Sequence, residues 1–144
     1  LDSLRARLIV PVVFAAATVG GALAHLQAAA LPMSETVIAL SVLLGGLLVL
    51  ALVELPLLAL SVAVGGFGVF HGYAYGESII GAEQTPLLAY LAGFALVQVA
   101  LITAVALGLS AVARRTGRAA VFARHGAGTL ATVVGGVMLA TNLA

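Results

Sequence analysis

The chain has 144 residues, of which 63% are hydrophobic and 8% are charged, and its mean hydropathy is +1.26. A soluble domain has about 25% charged residues, and one of this size exposes too much surface to hide so much apolar area. The composition therefore excludes a soluble globular domain and a disordered chain, and it indicates an integral membrane protein. A net charge of +1 argues against nucleic acid as a partner, and the absence of cysteine excludes disulfides and thiolate metal sites.

Long apolar runs predict an all-α, polytopic transmembrane bundle that forms a single domain over residues 1–144. A spanning helix needs about 20 apolar residues, whereas the strands of a membrane barrel alternate apolar and polar positions. Ser34 and Glu35 offer a cap and a first-turn acid to the second helix, and Pro86 suits the start of the fourth. The five predicted spans cover residues 8–30, 34–53, 56–75, 86–113 and 119–143.

Arginine residues cluster at two places in the chain and predict its orientation. One group precedes the first span, and the other lies between or beside the last two: Arg5 and Arg7, then Arg114, Arg115, Arg118 and Arg124. With five spans, both groups fall on the same side of the membrane. Because cytoplasmic loops are rich in Arg and Lys, we expect a cytoplasmic N-terminus and an extracytoplasmic C-terminus.

Glycine is frequent inside the predicted spans, where adjacent pairs and a four-residue repeat occur. Small residues at such spacings let helix backbones approach closely in lipid. The same closeness could instead let backbone carbonyls line a narrow path for an ion. The glycines predicted to pack against neighbouring helices are Gly45, Gly46, Gly65, Gly66, Gly68, Gly72 and Gly76.

Ionisable side chains gather at the predicted outer membrane face, where such groups usually mark function. Imidazole together with carboxylate oxygen suits borderline divalent metals such as nickel, cobalt or zinc. The candidate ligands are His25, Glu35, His71, Tyr75, Glu77 and Glu83. Structural alternatives remain open: Glu35 as a helix cap, Tyr75 as an interfacial anchor and Glu83 as part of a solvated loop. Gln98, in the middle of the fourth span, is expected to form an interhelical hydrogen bond.

Motifs of soluble enzymes are absent from the sequence. It contains no GxxxxGK[ST] loop, no GxSxG and no HExxH, and no recognised motif pairs a covalent nucleophile with a base. We therefore expect no enzymatic activity and no tightly bound cofactor.

The segment Phe70-His71-Gly72-Tyr73-Ala74-Tyr75-Gly76-Glu77 resembles the HGxAHG signature of the HupE/UreJ family. These proteins are bacterial nickel or cobalt permeases associated with nickel–iron hydrogenase, urease or cobalamin pathways. The resemblance is strong from Pro32 to Phe94 and covers essentially the whole chain. It implies a location in the bacterial inner membrane and a role for His71 in metal handling, with Glu77 and Glu35 as weaker matches.

Two features depart from the family pattern. The family usually has six spans, and the His, Asp and His signature of its first span is missing here. The first helix of this chain resembles the family's second, and a start at Leu1 rather than Met fits the lack of a first span. Tyr75 stands where the motif has its later histidine, and a phenol is a poorer ligand for nickel than imidazole.

Two hypotheses of different classes follow from the resemblance. The first is a secondary permease for Ni²⁺ or Co²⁺, with lipid and the transported cation as partners, that supplies metalloenzyme or cobalamin assembly. The second is a HupE/UreJ-like subunit that does not transport and instead packs against other membrane protein subunits within a larger complex.

Overall fold

Every regular element in the described part of the chain is an α-helix, as the continuous apolar runs predict. The computed structural model describes residues 4–27, 30–77, 79, 84–115 and 117–143. The helices are α1 (Leu4–Leu26), α2 (Ser34–Leu50), α3 (Leu57–Glu77), α4 (Gln84–Arg115) and α5 (Gly117–Leu143). The predicted all-α class is confirmed.

Among the described residues, four helices are long and apolar enough to cross a membrane: Leu8–Leu26, Leu57–Glu77, Leu87–Val112 and Gly117–Leu143. Helix α2, also predicted as a span, has 17 residues, which is near the lower limit of about 17 for crossing the hydrocarbon core. Large apolar side chains are exposed along the helices, and Leu58 and Leu96 are 77% and 72% exposed. Such surfaces suit a lipid bilayer, and the protein is a multi-pass membrane protein.

Helix α2 ends three residues earlier than the predicted boundary at Val53. Leu52 adopts a left-handed conformation with φ of 59°, and the Val53 N–H donates to the Leu48 carbonyl at 3.2 Å. These features form a Schellman motif, which closes a helix by satisfying its last carbonyls. Helix α1 likewise ends at Leu26 rather than at the predicted residue 30.

The chain divides into two compact units, and the predicted single domain stays a prediction. The first unit contains residues Leu1–Ser34 and Pro56–Ala104, and α1 packs along α3 within it. In these contacts, residue numbers rise together along both helices, so α1 and α3 are parallel. Small residues make the contact: Gly68 lies against Ala17, Gly72 against Thr18, and Gly76 against Ala22.

The second unit contains residues Glu35–Leu55 and Val105–Ala144, and α2 packs against α5 within it. Gly46 lies against the backbone of Thr132, Gly128 against Leu50, and Gly135 against Leu43. Residue numbers rise on α2 as they fall on α5, so these two helices are antiparallel.

The predicted packing glycines differ in their surroundings. A Cβ built at Gly65 would approach the side chain of Val13 at 3.3 Å. By contrast, in the part of the chain that the structure describes, no atom lies within 4 Å of a Cβ built at Gly45 or Gly66. No contact therefore supports the packing role predicted for these two positions.

Candidate functional site

His71 lies on α3, one residue before the glycine that contacts Thr18 of α1. Its ring is half-buried and meets the ring of Phe14 edge-on, with 5.9 Å between the centroids and 64° between the planes. The close approach of α1 at Gly68, where a Cβ would lie 3.2 Å from the Phe14 ring, brings this aromatic ring near the imidazole. Position 71 thus places an imidazole, a type of side chain that can ligate metal ions, within an apolar helix pair.

His25 lies near the end of α1, beside the same signature segment of α3. Its ring contacts Tyr73 edge-on, with centroids 4.5 Å apart and planes at 79°. Gly76 leaves the room for this side chain, because a Cβ there would lie 2.7 Å from the Cβ of His25. The Nδ1 atom of His25 is buried and has no hydrogen-bond partner among the described residues.

Tyr75 contacts aromatic residues of α4. Its ring stacks on Phe94, with centroids 4.1 Å apart and planes at 8°, and on Tyr90 at 5.8 Å and 12°. Tyr75 and His71 share one face of α3 by their spacing, yet their ring contacts are made with different helices. The phenol at the position of the family's later histidine therefore takes part in an aromatic stack that joins α3 to α4.

A buried polar pair joins α1 to α4 in the middle of their apolar segments. The hydroxyl of Thr18, a residue that is only 1% exposed, lies 2.9 Å from Oε1 of Gln98. The interhelical hydrogen bond predicted for Gln98 is thereby confirmed. Sequence reasoning did not identify Thr18 as its partner, because a single Thr in an apolar helix has no spacing signal that sets it apart.

The acidic candidates lie at helix ends or outside the described residues. Glu77 is the last residue of α3, is exposed, and lies about 120° around the helix from His71. Glu35 is exposed at the first turn of α2, in the second unit, and Glu83 lies outside the described residues. Within the described ranges, no three His, Asp or Glu side chains come together to hold a metal ion.

Comparison with known proteins decides the family. The family described as HupE / UreJ protein matches residues 2–139. The chain belongs to the HupE/UreJ family. It is similar to Protein HupE of Rhizobium leguminosarum bv. viciae, with 33% identity over 131 residues. This match covers 91% of the present chain but 66% of the length of that protein. No solved structure matches the chain.

In this HupE/UreJ chain, the signature segment forms the last eight residues of α3. Gly72 and Gly76 are positions at which α1 packs closely, so they support the packing that surrounds His71. A single imidazole can bind a divalent cation weakly while water completes its coordination. A permanent metal site requires a closed set of protein ligands instead.

Proposed function

We propose that this HupE/UreJ protein is a secondary permease for Ni²⁺ or Co²⁺ in the bacterial inner membrane. The observation that carries the proposal is the position of His71, an imidazole within an apolar helix that packs closely on α1. Ionisable side chains inside membrane segments are costly, and they usually mark the pathway of a substrate or ion. The transported metal would serve metalloenzyme or cobalamin assembly.

The sparse ligand set of the described residues suits transport. Conduction requires an ion to bind well enough to enter and weakly enough to leave. In the proposed path, the carboxylate of Glu77 raises the concentration of the cation near the end of α3, and Glu83, six residues further along the sequence, is expected to add to this effect. His25, near the end of α1, is a further candidate for capture, and His71 then receives the cation between α1 and α3 through a ring nitrogen.

One observation favours a second candidate, a membrane subunit that does not transport. Tyr75 replaces an imidazole of the family signature with a phenol, and its ring is stacked on Phe94. Large apolar side chains on α4, such as Leu96 and Leu101, are exposed and could contact other subunits as well as lipid. This candidate predicts stable association with partner chains and no metal uptake.

Uptake of radioactive nickel by proteoliposomes that contain the purified protein tests the proposal. We expect His71→Ala to reduce the initial rate at least about tenfold, the effect usual for loss of a group that governs metal binding. His125→Ala is the matched control, because His125 is exposed on α5 and its Nδ1 lies 2.8 Å from the Val121 carbonyl oxygen.

Equal uptake by His71→Ala and the wild-type protein would remove His71 from the mechanism. If the wild-type protein shows no uptake and instead co-purifies in a fixed ratio with other membrane proteins, the second candidate replaces the first. The variants are compared at equal amounts of monodisperse protein, so that a loss of folded material is not counted as a loss of transport.

A further inference from the structure

Helix α1 presents one face to both His71 and Gln98. Phe14 and Thr18 are four residues apart and share this face, which is one helical turn of about 5.4 Å along the axis. The ring of Phe14 meets His71, and the hydroxyl of Thr18 meets Gln98. The imidazole and the amide therefore contact the same face of α1 about one turn apart.

The two hydrogen-bond contacts of the Thr18 hydroxyl determine the orientation of the Gln98 amide. The Thr18 hydroxyl carries one proton, yet it lies 2.9 Å from both the Ala15 carbonyl oxygen and Oε1 of Gln98. Both contacts become hydrogen bonds if the oxygen and nitrogen positions of the amide are exchanged, since the two atoms are assigned from their hydrogen bonds. The amide NH₂ then donates to the hydroxyl, and the hydroxyl donates to Ala15.

In this orientation the oxygen of Gln98 points away from Thr18. Among the described residues, the amide forms no second hydrogen bond. A single interhelical hydrogen bond in a membrane contributes little free energy to stability. Leaving the other polar atom of the amide unpaired in an apolar region costs more free energy than this. Helix packing alone does not explain a glutamine at this position, since an apolar side chain would avoid that cost.

We propose that the amide oxygen of Gln98 is a neutral oxygen site for a partly hydrated divalent cation, about one helical turn from His71 along α1. Thr18 is its positioning residue, because the hydroxyl holds the amide NH₂ and so turns the oxygen towards the cation. This inference rests on the proposed transport of Ni²⁺ or Co²⁺. It adds an oxygen contact from α4 to the nitrogen contact from α3, and amide oxygens are accepted ligands of divalent cations.

The test is the concentration dependence of nickel uptake by proteoliposomes that contain the full protein. Thr18→Val keeps the shape of the side chain but removes the hydroxyl, and Gln98→Met keeps the length but removes the amide. We expect each to raise KM about tenfold or more, because losing only a residue that orients a metal ligand already weakens metal binding by about 10–100-fold. Thr18→Ser restores the hydroxyl and is expected to return KM to the wild-type value.

Two further variants keep the test decisive. Thr103→Val removes a buried hydroxyl on α4 that has no hydrogen-bond partner among the described residues. The KM of this variant is expected to equal that of the wild-type protein. Gln98→Glu keeps the size of the side chain and adds a negative charge, so KM is expected to fall and the maximal rate to fall with it. This variant supplies the answer if Gln98→Met does not fold.

The outcomes distinguish failure of the Gln98 oxygen site from failure of the permease function. Wild-type uptake that depends on His71, combined with an unchanged KM in Thr18→Val, Gln98→Met and Gln98→Glu, would overturn the oxygen site alone and leave the permease standing. A complete lack of uptake by the wild-type protein would overturn both. A raised KM in Thr18→Val that Thr18→Ser does not reverse would remove Thr18 as the positioning residue.

Discussion

Gly72 of α3 lies directly against the backbone of Thr18 in α1, so closely that a Cβ at position 72 would overlap the Thr18 carbonyl group. No other amino acid fits here without moving the helices apart. The contact also fixes the neighbourhood of His71, which precedes Gly72, and of Gln98, which bonds to Thr18. Helix packing and the candidate site thus depend on the same pair of residues.

We expect Gly72→Ala to lower the free energy of unfolding in detergent by about 1–3 kcal/mol, the usual cost of an added methyl group in a closely packed contact. Gly66→Ala is the matched control on the same helix, because a Cβ at Gly66 meets no atom within 4 Å. It is expected to be neutral or to stabilise by up to about 1 kcal/mol, since Ala favours a helix more than Gly does. Thermal unfolding of both variants provides the measurement, and similar losses in the two would contradict the α1–α3 contact.

The adjacent pair Gly45 and Gly46 offers a second comparison, in the contact between α2 and α5. A Cβ at Gly46 would meet the backbone and hydroxyl of Thr132, whereas a Cβ at Gly45 would meet nothing within 4 Å. Gly46→Ala should therefore destabilise the protein by about 1–3 kcal/mol, and Gly45→Ala should not. Denaturant titration followed by circular dichroism would show the difference. If Gly45→Ala is the more harmful change, the orientation of α2 towards α5 is wrong.

These pairs show how far the sequence can predict the packing. Apolar runs were sufficient to predict five helices, because a backbone in lipid must satisfy its own hydrogen bonds. Glycine content predicted close packing, but it did not distinguish Gly46 from Gly45 or Gly65 from Gly66. A glycine has no side chain whose polarity could indicate the buried face, so only the three-dimensional register of two helices separates the members of a pair.

The candidate site was predictable where a motif marks it. His71 stands in a distinctive segment, and the spacing of Tyr75 correctly places both residues on one face of α3. The partners of these residues come from α1 and α4, and contacts between distant segments such as Thr18 and Gln98 leave no trace in local spacing. Loop residues such as Glu83 lie outside the described residues, so their predicted role stays a prediction.

The end of α2 provides a prediction about backbone conformation. Leu52 has a left-handed φ of 59°, which costs an ordinary residue about 1–2 kcal/mol but costs glycine little. Leu52→Gly should therefore raise the free energy of unfolding, by about 1 kcal/mol after the greater freedom of glycine in the unfolded chain is counted. Leu47→Gly, inside the same helix and 44% exposed, should instead lower it by about 1 kcal/mol. Melting curves of the two variants test the opposite signs, and a loss in both would argue against the left-handed cap.

The predicted orientation can be tested by cysteine labelling, since the chain has no cysteine of its own to give a background. Gln27 follows α1 and Ala119 lies in the first turn of α5, and both residues are exposed. Replacing them leaves every arginine in place, so the charges that set the orientation are unchanged.

In intact cells, we expect a membrane-impermeant maleimide to label Gln27→Cys directly and Ala119→Cys only after the membrane is opened. This result follows if the arginine groups before α1 and around the α4–α5 junction are both cytoplasmic, because an outward-facing arginine cluster opposes the positive-inside rule. The reverse labelling would invert the orientation and place His25 and Glu77 at the cytoplasmic face, where they would release the cation rather than capture it. Labelling of both positions in intact cells would mean that an even number of spans separates them, and α2, the shortest helix, would then be the first candidate for a segment that does not cross.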